Sequence, residues 1–139
     1  MRARCIFNSG AQLGKPTRGT FYSDRSIFQL TIGKRYPVLG LGLFETVMLA
    51  LVCDETGQPN WLPVGLFQFE RRALPEDWEF ALLDGVAASG GDPENRWLAR
   101  WGYPELVRND RHSDALIERD PAALSIFFRE LEKLASGEV

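Results

Sequence analysis

Seven consecutive apolar residues, Val47–Cys53 in "TVMLALVCD", leave this segment no polar face. A helix or strand made of them must be covered on both sides. The run is far too short to span a bilayer, which takes about 20 residues. Its valines and leucines, with turn chemistry directly after it in "ETGQPN", predict a central β-strand with a layer of chain on each side. The neighbouring segments read as partner strands. "SIFQLTIGK" alternates, with Phe28, Leu30 and Ile32 on one face and Gln29 and Thr31 on the other. "YPVLGLGLF" is extended but loosened by Gly40 and Gly42, as in a sharply bent strand or a bulge. In "WLPVGLFQFE", Phe67 and Phe69 share a face, and Pro63 confines the first part to an edge or a short 3₁₀ turn. "DWEFALL" alternates again and groups Trp78, Phe80 and Leu82. Short bent strands with glycine and proline at the corners predict a small β-barrel over residues 28–83.

"GVAASGGD" breaks this pattern as a linker, and the remainder reads as helical. Asp92-Pro93 supplies a cap and a first-turn proline for "ENRWLARW", which as a helix would gather Trp97, Leu98 and Trp101. "YPELV" and "SDALIERD" predict short helices. Asp120-Pro121 repeats the cap before "AALSIFFRELEKLAS", where Leu124, Phe127, Phe128, Leu131 and Leu134 recur at helical spacing and face the core. At 139 residues the chain reads as one α+β domain: a basic N-terminal segment (about 1–27), the barrel (28–83) and a helical C-terminal part (92–136).

One stretch imitates a phosphate-binding loop. In "NSGAQLGKPTRG", however, Gly10 and Gly14 are separated by three residues instead of four, and Pro16 intervenes between Lys15 and Thr17. The proline removes an N–H donor, and no apolar helix follows to hold the anion, so the reading is a basic, flexible loop and no cofactor. Two cysteines, Cys5 and Cys53, lie in apolar runs and read as small core hydrophobes. With His112 as the only histidine, they make too few ligands for the usual zinc sites. Asp77 and Glu79 alternate to one strand face, where paired carboxylates read as solvated, so no enzyme is expected. The N-terminal apolar run is too short for a signal peptide, which predicts a cytoplasmic protein with no membrane partner.

Charge is unevenly distributed. Residues 1–35 carry seven Lys/Arg against one Asp, whereas residues 36–95 carry ten Asp/Glu against two Arg. The acidic centre argues against nucleic acid as a ligand and suits a basic partner. The plainer reading is that the two segments complement each other within the fold.

The run "FQLTIGKRYPVLGL … MLALVCDETGQPNWLPVGLFQFERRALPEDWEF", with the tail "GYPELV … H … LIERDPAALSIF", resembles a group of small stand-alone bacterial proteins. These have an SH3-like β-barrel with C-terminal helices, and occur as suspected immunity proteins beside polymorphic toxins of contact-dependent or type VI secretion systems. The likeness rests on Gly33-Lys34, Tyr36, Asp54-Glu55, Trp61, Pro63, Leu66-Phe67, Leu74-Pro75 and Trp78, which are fold-making residues. Met48 and Leu49 stand where the group's pattern has an aromatic pair. The resemblance implies an inhibitor that occludes the electropositive cleft of a cognate toxin domain. The alternative is an SH3-like adaptor that takes a peptide in an aromatic groove. On the toxin reading, the expected partner-binding residues are Asp54 and Glu55 at the hairpin turn, Glu76, Asp77 and Glu79 around Trp78, and Trp61 as an aromatic anchor.

Overall fold

The computed structural model describes residues 1–19, 21–83 and 96–137. Its strands are β1 (Arg2–Cys5), β2 (Arg35–Phe44), β3 (Val47–Cys53), β4 (Pro59–Pro63), β5 (Phe67–Phe69), β6 (Glu79–Leu82) and β7 (Trp97–Gly102). The helices are α1 (Lys15–Arg18), α2 (Pro104–Arg108), α3 (His112–Ile117) and α4 (Pro121–Gly137), with 3₁₀ turns at Gly10–Gln12 and Val64–Leu66. The architecture is α+β: one antiparallel sheet with the longer helices at the C-terminal end of the chain. Among the described residues the sheet stays open along the path β4-β3-β2-β1-β5. Strands β7 and β6 branch from β2.

Strand β2 organises this branching. Its start, Arg35–Pro37, pairs with β1, while Gly40–Phe44 pairs with β7 on the same edge. The register shifts between Val38 and Gly40, and such a bulge bends a strand enough to serve two partners in succession. Glycine is required there for a second reason. A Cβ on Gly42 would lie 2.4 Å from the Trp97 ring, and one on Gly40 would lie 2.4 Å from Leu106 Cδ2. The bare backbone is the floor on which those side chains rest.

Strand β3 is buried on both faces, as its composition demands. Ala50 and Val52 join Ala3, Cys5, Tyr36, Val38 and Phe67 on one face, covered by Leu13, Phe28 and Leu30 from the chain between β1 and β2. Val47, Leu49 and Leu51 join Trp61 and Trp97 on the other, covered by Leu106, Leu116, Ala123 and Phe127 from the helices. Helix α4 begins where its cap residue predicts, with Asp120 Oδ2 accepting from Ala123 N–H at 3.0 Å. Leu124, Phe128, Leu131 and Leu134 pack beside Phe127, partly buried.

Three local expectations are corrected. "ENRWLARW" does not form a helix through its tryptophans: Trp97–Gly102 is β7, held between β2 and β6. Ladder bonds on both sides, and a ring-sized hollow over Gly42, outweigh the helical propensity of a six-residue stretch. The alternating segment around Phe28 and Leu30 is not a strand. It folds over the sheet irregularly, burying those two residues, with a single bridge between Ser9 and Ile27, and leaves Ile32 exposed. The N-terminal segment contributes β1 to the sheet, and Lys15–Arg18 forms one helical turn where a flexible loop was expected. The predicted linker and the Asp92-Pro93 cap lie outside the described residues.

Candidate functional site

Four carboxylates of the acidic centre are answered by ion pairs among the described residues. Lys34 Nζ reaches Glu55 at 2.7 Å, Arg35 pairs with Glu70, Arg96 with Glu45 at 2.9 Å, and Arg108 with Glu79 at 2.6 Å. Two of these join the basic N-terminal region to the acidic middle, as the complementary-charge reading requires. Each is solvent-accessible, so it contributes little stability by itself. Together they remove Glu55 and Glu79 from the pool of free surface charge.

The sequence-predicted residues separate into three groups. Asp54, expected at the exposed tip of the β3–β4 hairpin, is only 9% exposed. Its Oδ1 accepts from the Thr56 N–H (2.9 Å) and hydroxyl, and its Oδ2 from Asn60 Nδ2 (2.8 Å), so it organises the turn. Trp61, proposed as an aromatic anchor, is 6% exposed. Its Nε1 donates to the buried Ser113 Oγ at 2.9 Å and its ring lies 4.8 Å from that of Trp97. Both are corrections: the flanking strands and α3 enclose these side chains, and a partner cannot reach them.

The second group, exposed Glu55 and half-buried Glu79, is engaged by other side chains. Glu55 accepts from Lys34, from Tyr36 Oη (2.6 Å) and from Thr31 Oγ1 (3.3 Å). Lys34, then Tyr36, hold its carboxyl below the usual carboxylate range. Glu79 receives Arg108 through two bonds of 2.7 and 2.6 Å. The third group is Glu76 and Asp77, which are exposed and carry no ion pair among the described residues. Asp77 also stands at the rim of a cleft of about 90 Å³ between Trp78, Tyr103 and the Glu130–Leu134 end of α4. That volume is well below the 300–1,000 Å³ or so of a typical small-molecule site.

Next to these carboxylates, β6 presents two of the apolar side chains that alternation had grouped with Trp78. Phe80 is 50% exposed and Leu82 80%. Residues directly opposite in an antiparallel pair share a face. Phe80 is opposite Trp101, which is opposite Leu41, and Leu82 is opposite Ala99, which is opposite Leu43. The Phe80 and Trp101 rings lie 4.8 Å apart. This row continues the face that the chain between β1 and β2 covers over Ala50 and Val52, but extends beyond that cover. The signal for it was present as the spacing of Phe80 with Leu82 and of Ala99 with Trp101, which has the period of a strand; Trp97, beyond a register shift, packs on the opposite face.

The remaining reactive side chains are structural. Cys5 and Cys53 are free and pack against opposite cores, and burial pushes both thiols up. His112 is buried, 2.6 Å from Tyr103 Oη, and desolvation lowers its pKa. Arg100 is buried with its guanidinium 4.9 Å from the Trp97 ring, and desolvation lowers its pKa also. Among the described residues no group of His, Cys, Asp and Glu is placed to hold a metal ion, and no helix is long and apolar enough to cross a membrane. No family model, curated protein or solved structure matches the chain.

Proposed function

We propose that the protein is an immunity protein, built on an SH3-like architecture, that neutralises a cognate bacterial toxin by occluding its active site. The observation that carries this reading is the surface of β6: Phe80 and Leu82 project into solvent within a few residues of the unbridged Glu76 and Asp77. Exposed apolar side chains rimmed by charge are the composition of a protein-binding patch. Carboxylates that make no ion pair among the described residues favour an electropositive cleft and speed encounter with one. The patch needs no catalytic group.

Co-expression with the toxin domain encoded beside the gene tests the proposal. The wild-type chain should protect the cell. Glu76→Lys with Asp77→Lys should leave the fold intact by circular dichroism while slowing association, and wild-type association should slow as salt rises. A wild-type chain that neither binds nor protects would reject the immunity reading. Full protection by the charge-reversed chain with salt-independent binding would remove the acidic rim from it.

A further inference from the structure

Among the described residues β6 pairs with β7 alone, which leaves its other side open. The direction of its main-chain groups follows from one bond: Leu83 N–H donates to Leu98 O at 2.8 Å. Along an antiparallel strand the N–H and C=O of one residue point to the same side, and the side alternates with each residue. Ala81 and Leu83 therefore face β7, while the N–H and C=O of both Phe80 and Leu82 face the open side. The same two residues carry the exposed apolar side chains. The strand Glu79–Leu82 is short and carries Glu79, but it has no proline, no lysine and no register shift against β7.

We propose that β6 is a receptor strand, which takes an extended cationic segment of a partner polypeptide as an additional strand of the sheet. The partner's main chain bonds to Phe80 and Leu82, and its apolar residues on the near face pack on Phe80, Leu82 and Trp101. Charge selects the occupant. From Ala73 to Leu83 the sequence has no Lys or Arg and three Asp/Glu, namely Glu76, Asp77 and Glu79. A second copy of this chain pairing at β6 would set like charges together, whereas a segment carrying Lys or Arg is attracted. Glu79 is already matched by Arg108, so the field felt by an incoming strand comes foremost from Glu76 and Asp77. The inference rests on the proposed function for the identity of the partner, a toxin, and on the sheet edge for everything else.

The test uses the isotope-labelled full chain and two end-blocked synthetic heptapeptides, one alternating Lys and Val, the other alternating Glu and Val. Amide hydrogen exchange is read residue by residue at low salt. The Lys–Val peptide should slow exchange at Phe80 and Leu82 several-fold, with little change at Ala81 and Leu83, whose amides are already bonded. The Glu–Val peptide should leave all four unchanged. Phe80→Lys with Leu82→Lys should abolish the response while β3 amides stay protected, showing that the fold is kept. No slowing with the Lys–Val peptide, or equal slowing with both, overturns the proposal. Protection of Phe80 and Leu82 that rises with protein concentration alone would overturn it in favour of self-pairing. Because no toxin enters this assay, its failure leaves the immunity reading standing, and failure to protect cells leaves the strand-addition result standing.

Discussion

Replacing Asp54 by Ala separates a turn-organising carboxylate from a binding one. The substitution removes the acceptor for the Thr56 N–H and hydroxyl and for Asn60 Nδ2. Hydrogen bonds to a charged group contribute about 1.5–3 kcal/mol each. Thr56 is exposed at the hairpin tip and regains water, so the loss falls well below the sum of the bonds. A net cost of about 2–3 kcal/mol follows, or roughly 6–12 °C in Tm for a domain of this size. Asp54→Asn keeps an acceptor for Thr56 but turns an amide toward Asn60 Nδ2. Asn60 cannot flip to compensate without surrendering its Oδ1, which accepts from Arg119 Nη2 at 3.0 Å. That variant should cost about 1–2 kcal/mol. Urea unfolding followed by tryptophan fluorescence measures both, alongside the rate of association with the toxin domain. Asp54→Ala at wild-type stability with slowed association would refute the reasoning and return Asp54 to the surface.

Gly42→Ala drives a Cβ to within 2.4 Å of the Trp97 ring and should destabilise by about 1–2 kcal/mol; overpacking costs about 1–3 and the lower chain entropy of alanine offsets up to about 1. Combining it with Trp97→Leu, which vacates the ring, should give less than the sum of the two single effects, and strict additivity in urea melts would count against the contact. Burial lowers the pKa of His112 below its ordinary 6.5, so the unfolded chain binds the proton more readily than the folded one. The stability this residue contributes is fully present above pH 6.5 and is lost as pH falls through the folded value. Glu55 and Glu70, held below 4.5 foremost by Lys34 and Arg35 respectively, add a separate loss at more acidic pH. Thermal melts of His112→Gln should lack the slope just below pH 6.5 and retain the acidic one, and an unchanged slope would place the titrating group elsewhere.

Part of this molecule is decided by sequence alone. Val47–Cys53 reads as a strand covered on both faces, because every residue in it is apolar and turn chemistry follows directly. Asp120-Pro121 and the stripe through Phe127 suffice for α4, since capping and helical periodicity act within one helix. The pairing of the basic start with the acidic centre was equally visible as charge. What tertiary structure decides is whatever depends on a neighbour distant in sequence. Trp97–Gly102 satisfies two periods, and the ladder with β2 and β6 chooses the strand. Asp54 and Trp61 carry turn and anchor chemistry, yet the residues that bond them, Asn60 and Ser113, become neighbours only on folding. Phe80 and Leu82 alternate like any buried strand face, yet folding leaves them exposed, outside the cluster that Leu13, Phe28 and Leu30 complete on this side of the sheet. Periodicity reports that a face is apolar; which apolar face is covered is settled by the tertiary fold.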